Sequence, residues 1–201
     1  MQKKGILFVL SGPSGTGKGT VCKALLEKER ELYLSVSATT RECRIGEIPG
    51  ETYHYVTFDR FESMIANGEM LEYAKYNGNY YGTPGESVRK LLNEGKDVML
   101  EIEPQGALQV KKIFPEAVLI FLVPPSMRVL KERLVNRGRE TAEEIAQRLE
   151  TTRWELTQAD KYTTQIVNDN LEVCVHEVMA YLNKKRAEQE MIAALINEKL
   201  D

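Results

Sequence analysis

The sequence predicts an α/β fold, a parallel sheet with helices on both faces, and two observations carry that prediction. Short apolar runs, "GILFVL" (5–10), "KDVMLEIE" (96–103), "AVLIFLVPP" (117–125) and "TQIVND" (164–169), alternate with segments of helical periodicity. The first run also enters a glycine-rich turn, "GPSGTGKGTV" (12–21), that leads straight into the first helical segment. Apolar runs separated by helix-length crossovers imply right-handed β-α-β units whose strands are covered on both sides.

Taken in order, "GILFVL" reads as a buried strand and "GKGTVCKALLEKERE" as a helix with Val21, Ala24 and Leu25 on one face. "PGESVRKLLNEG" and "PQGALQVKKIF" supply the helices on either side of the second run, and "TQIVND" the last strand. A long amphipathic helix from about 171 to 200 follows, its apolar face formed by Val175, Val178, Met179, Leu182, Ile192, Leu195 and Ile196 and read as a packing face, internal or against a second subunit. Two stretches interrupt the pattern. Residues 37–83 are rich in Gly, Tyr, Arg and Glu with short β-like pieces around one helical segment, which reads as an inserted lobe. Residues 134–153 are charged and poor in large apolar side chains, which reads as a mobile flap or lid. The core is then 1–36, 84–133 and 154–201, within a single domain.

Composition narrows the function. With 201 residues, 42 % hydrophobic and 28 % charged, the chain can bury a core without metal or disulfide support. A net charge of -3 disfavours a nucleic-acid partner gripped along many phosphates, so any anion site is local. Cys22, Cys43 and Cys174 stand far apart and read as free thiols of a reducing compartment. The short N-terminal apolar run is no secretion signal and no stretch reaches membrane-spanning length, so a cytoplasmic protein is the expectation. His54 and His176 have no metal-ligand company.

The chemistry starts at the glycine-rich turn. Gly12, Pro13, Ser14, Gly15, Thr16, Gly17 and Lys18 follow the G-x-x-x-x-G-K phosphate-loop pattern between a strand and a helix, where converging backbone N–H groups make an anion site. Lys18 would bridge the outer two phosphates of a nucleoside triphosphate. The next residue is Gly19 and not the hydroxyl that ligates Mg²⁺ in nucleotide hydrolases, and Thr20 follows it. G-K-G-T resembles the loop of nucleoside monophosphate kinases, where water and phosphate oxygens largely hold the metal, a coordination that Mg²⁺ tolerates. Thr20 can still donate to the α-phosphate.

Two longer stretches sharpen the resemblance. "SATTRECRIGEIPGETYHYV" and "MLEYAKYNGNYYGTP", together with the phosphate loop, "LEIEPQG" and "VND", resemble the guanylate kinase family over essentially the whole chain. That likeness implies a P-loop NTPase-type core with a GMP-binding lobe and an ATP lid, transferring the γ-phosphoryl of ATP to GMP with Mg²⁺ present. By resemblance, Ser37, Arg41, Arg44, Tyr53 and Tyr81 hold the GMP phosphate and Glu47 orients the arginines, whose guanidinium forks match a phosphate bidentately. Glu72 and Thr83 would read guanine, whose N1–H and 2-amino group suit one carboxylate while O6 accepts from a hydroxyl.

Glu101 and Glu103 close a strand at the ligand end of the sheet, where the family often has Asp. The extra methylene shifts each carboxylate; Glu101 is assigned to the outer shell of the metal and Glu103 to the acceptor. Arg133, Arg137 and Arg148 align with arginines that close over the transferring phosphoryl, Arg139 and Arg153 read as solvated, and Asn168 is the candidate for adenine. Expected partners are ATP and GMP or dGMP, no nucleic acid and no membrane, with the chain a monomer or homodimer. The competing readings are another nucleoside monophosphate kinase and a non-catalytic binding module of the same fold.

Overall fold

A computed structural model describes residues 4–76, 78–136 and 141–198. In chain order its elements are β1 (Leu7–Ser11), α1 (Lys18–Lys28), β2 (Leu32–Leu34), β3 (Ala38–Thr39), β4 (His54–Tyr55), α2 (Phe58–Ala66), β5 (Met70–Tyr76) and β6 (Asn79–Pro84). Then come α3 (Gly85–Asn93), β7 (Asp97–Glu101), α4 (Pro104–Ile113), β8 (Val118–Val123), α5 (Met127–Asn136), α6 (Ala142–Leu156), β9 (Thr164–Val167) and α7 (Leu171–Asn197).

The main sheet runs in the order β2-β7-β1-β8-β9, with every described neighbour pair parallel. Its central strands, β1, β7 and β8, are mostly apolar and buried because both faces are covered, while β2 and β9 at the edges are partly exposed. Successive side chains of a strand point to opposite faces, so Phe8 and Leu10 join Val21, Leu25, Val175 and Val178 beneath α1 and α7. Leu7 and Val9 join Val88, Leu92, Ala107 and Val110 beneath α3 and α4. Parallel strands put all their C-terminal ends on one edge, and that edge carries the phosphate loop, Glu101 and the segment around Asn168.

A smaller sheet, β4-β3-β6-β5, builds the inserted lobe around its own core of Ala38, Phe61, Met64 and Met70, with Phe61 stacked on Tyr80 at 5.0 Å. Thr57 caps α2 by accepting from the Arg60 N–H. Gln109 of α4 ties the lobe to the core: its amide donates to the Tyr73 carbonyl at 2.9 Å and accepts from the Tyr73 N–H at 3.2 Å.

The few apolar side chains of 134–153 are used: Leu134 and Ile145 pack with Leu130 of α5, with Met127 and Leu149 beside them. Thr141 and Glu144 form a reciprocal capping box at the start of α6. Within the chain, the long C-terminal helix packs along only part of its apolar face. Val175, Val178 and Leu182 are buried, but Ile192, Leu195 and Ile196 are each more than half exposed. Length explains it, since α7 extends about 40 Å while the strands beneath it span about 16 Å, and the last turns have no sheet under them. Cys22, Cys43 and Cys174 are free thiols, as anticipated.

Candidate functional site

The phosphate loop wraps the end of β1 and the start of α1. Gly17 is the N-cap residue of α1 at φ 91°, a conformation that costs glycine nothing. A Cβ there would also come within 2.7 Å of Asn168 Nδ2. Lys18 is folded back across the loop, its Nζ donating to the carbonyl of Gly12 at 2.7 Å and to Glu103 Oε2 at 3.1 Å. Asn168 is buried and its amide donates to the Thr16 carbonyl at 2.7 Å, so the candidate for adenine braces the phosphate loop from β9.

Three carboxylates face this loop. Glu101 lies beside α1, where a Cβ on Gly19, the residue that breaks the hydrolase pattern, would sit 3.4 Å from its Oε1, in van der Waals contact. Burial pushes the Glu101 carboxyl up, while Lys18 draws it back down. Glu103, which the sequence placed at the acceptor, is half exposed and pairs with Lys18. The third is Glu155 of α6, which sequence reasoning missed. It is buried, pushed up to about 7 by desolvation and by Glu103, and its ionised form is favoured by Lys18 and by the Ser14 backbone N–H. A glutamate in a charged helix carries no signal of burial, so only the packing of α6 against the loop reveals it.

In the inserted lobe Arg41 and Glu47 form a bidentate pair, Nη2 to Oε1 at 2.8 Å and Nη1 to Oε2 at 3.0 Å. Glu47 also accepts from the Arg44 backbone N–H and the Tyr55 hydroxyl, each at 2.8 Å. With Arg41 first among these causes, its carboxyl is lowered to about 2. The Arg41 guanidinium lies 5.6 Å from the centre of the Tyr53 ring, and the Tyr81 hydroxyl also favours its charge. Ser37 leads into β3 and is half-buried beside this group, its carbonyl accepting from His54 N. Arg44 is exposed. Tyr55 was the omission here; it lies on β4, two residues after Tyr53, and only the folded lobe shows that its hydroxyl returns to Glu47.

Glu72 and Thr83 face each other on β5 and β6, the Thr83 hydroxyl donating to Glu72 Oε1 at 2.6 Å. Glu72 is 5 % exposed, and burial raises its carboxyl to about 7 against the opposing effect of Thr83. Electrostatics join lobe and loop into one site: Glu103 acts on Glu72 as well as pairing with Lys18, and Glu101 acts on Tyr53.

Among the lid residues, Arg148 donates to Ser14 Oγ at 3.2 Å and Arg133 to the Asn168 carbonyl at 2.9 Å. Arg137 and Arg139 lie outside the described residues. Among those described, no group of three His, Cys, Asp or Glu side chains could cage a metal, and no helix is long and apolar enough to cross a membrane.

Comparison with known proteins points to one family. The guanylate kinase family profile matches residues 4–185. A guanylate kinase of Oceanobacillus iheyensis is 50 % identical over 193 residues, 96 % of this chain and 94 % of that one. One of Clostridium perfringens is 50 % identical over 181 residues, 90 % of this chain and 84 % of the relative. Among solved structures, a guanylate kinase from Anaplasma phagocytophilum aligns with a TM-score of 0.75 at 34 % identity, covering 94 % of this chain and 89 % of that one. A gluconokinase from Sinorhizobium meliloti, at 16 % identity and a TM-score of 0.54, shares the fold alone.

Proposed function

The chain belongs to the guanylate kinase family, and from that premise we propose how its residues carry the γ-phosphoryl group of ATP to GMP, giving ADP and GDP. The loop from Gly12 to Thr20 cradles the ATP phosphates, with Lys18 exchanging Glu103 and the Gly12 carbonyl for phosphate oxygens. Arg41, Arg44, Tyr53 and Tyr81, with Ser37, take the GMP phosphate. Arg41 arrives preorganised because Glu47 and the tyrosines already fix its plane. Arg133, Arg137 and Arg148 neutralise the charge that spreads over the transferring phosphoryl as the lid, 134–153, closes on the lobe, 37–83. The acceptor is a phosphate oxyanion, so no general base is required.

The residues would suit Mg²⁺ bound together with the ATP phosphates, and Glu101 would help to hold it through water. One carboxylate stands beside Gly19, and the described residues offer no cage. Bound with ATP, the ion would offset phosphate charge. GMP and dGMP are the proposed acceptors, and a monomer or homodimer is the proposed state.

The observation that carries the guanine assignment is the buried Glu72–Thr83 pair, facing the acids beside the phosphate loop. A carboxylate there accepts from both N1–H and the 2-amino group. IMP lacks the amine and should lose about 10- to 150-fold in kcat/KM. AMP opposes a lone pair to the carboxylate and should lose about 10⁴-fold or more. Coupled ADP-release assays with GMP, IMP and AMP on the parent and on Glu72→Gln test this. Equal use of IMP and GMP by the parent, or an unchanged ranking in the variant, removes Glu72 as the reader. No turnover with any nucleotide would favour the binding-module alternative.

A further inference from the structure

Gly106 stands in the first turn of α4 with an ordinary helical backbone, where alanine would favour the helix by about 1 kcal/mol. Something other than backbone conformation therefore keeps the side chain absent. Gly106 is buried, and a Cβ built on it would overlap Glu72 Oε2 and stand 2.9 Å from Glu72 Cδ, closer than atoms pack without one moving. Neither backbone is free to give way. Three residues further along α4, Gln109 holds both backbone groups of Tyr73, the residue after Glu72, at 2.9 and 3.2 Å. On the other side the Glu72 carboxylate is fixed by the Thr83 hydroxyl at 2.6 Å. Helix and strand are thus held at a set separation, and the group that would yield to a methyl at position 106 is the Glu72 carboxylate.

We propose that Gly106 is a specificity-determining positioning residue: by leaving out a side chain it keeps the Glu72 carboxylate aligned for two hydrogen bonds to guanine. It acts through Glu72 and not on the nucleotide, and the inference rests on the reading of Glu72 as the guanine reader. One methyl at this place tilts the carboxylate away from Thr83 and breaks the paired geometry on which discrimination depends. The loop around Lys18 is untouched by that change, so affinity for ATP is kept.

The test is a double-mutant cycle on kcat/KM for GMP and IMP, with KM for ATP and a thermal melt on each variant. Gly106→Ala should lower kcat/KM for GMP by about 10- to 150-fold, bring GMP and IMP toward equality, and leave KM for ATP unchanged. Glu72→Asp withdraws the carboxylate by one methylene, so in that background Gly106→Ala should cost little in either activity or melting temperature. If Gly106→Ala keeps the parent's GMP-to-IMP ratio, or costs as much in the Glu72→Asp background as in the parent, the proposal is overturned. Should Gly106→Ala fail to fold, the double variant must fold, and its failure would equally overturn the idea. Glu72→Gln separates the two levels. An unchanged ranking there removes the reading of Glu72, whereas a lost ranking there with an intact one in Gly106→Ala removes only the role of Gly106.

Discussion

Glu72→Gln should make the protein more stable above neutral pH while weakening its preference for guanine. The carboxyl is 5 % exposed, and burial moves its pKa from 4.5 to about 7. Between those two values the unfolded chain has released a proton that the folded chain keeps, so this group's contribution to stability falls as pH rises through that window. Above pH 7 the full cost of an ionised, desolvated carboxylate is present, on the order of 3 kcal/mol. Glutamine is neutral at every pH and can still accept from the Thr83 hydroxyl. The variant should therefore melt close to the parent at pH 4.5 and about 6 to 12 °C above it at pH 8, given some 2–4 °C per kcal/mol for a chain of this length. Other titrating groups are common to both proteins and largely cancel in the difference. Binding shows the opposite face of the same shift. GMP needs the ionised form, so the parent's kcat/KM for GMP at saturating ATP should fall about tenfold per pH unit below 7. Glu155, also raised to about 7, adjoins the ATP loop, and its Gln variant separates the two ionisations. Melting curves and GMP kinetics at half-unit steps from pH 4.5 to 8.5 make the measurement. A variant less stable than the parent at pH 8, or one whose advantage is the same at both ends, would refute the desolvation argument.

Other outcomes follow from the same geometry. Lys18→Ala should lose on the order of 10³-fold in kcat while staying folded, because the phosphoryl charge loses its nearest cation; near-normal turnover would remove the phosphate loop from the chemistry. Arg186 bridges Asp97 at 2.7 Å and Glu29 at 2.9 Å, far from the ligand edge of the sheet. Arg186→Ala should cost about 2 to 4 kcal/mol in urea unfolding with kcat/KM preserved, and loss of activity without loss of stability would contradict the assignment. A bisubstrate mimic joining adenosine and guanosine through phosphates should reduce the radius of gyration in solution scattering, since lid and lobe close together on it. An unchanged radius with the mimic bound would mean a site already assembled.

The sequence by itself determined what local chemistry controls. Short apolar runs alternating with helix-length segments point to strands covered on both faces, and the glycine turn and lysine between a strand and a helix in 5–28 point to an anion site. The long motifs of the lobe singled out Arg41, Glu47, Glu72 and Thr83 through their resemblance to the guanylate kinase family, and the hydrogen-bonding capacity of each side chain suits the role that resemblance implies. Tertiary structure alone decided how those groups are held. Glu155 becomes a buried acid only when α6 lies on the phosphate loop, and Asn168 becomes that loop's brace only when β9 ends beside it. The exposed end of α7 could not be read from its periodicity, since an amphipathic stripe records which face is apolar and not how far the sheet beneath it extends. The same holds at Gly106: a missing side chain has no chemistry of its own, and its meaning comes from the Glu72 carboxylate that the fold brings into the space it leaves.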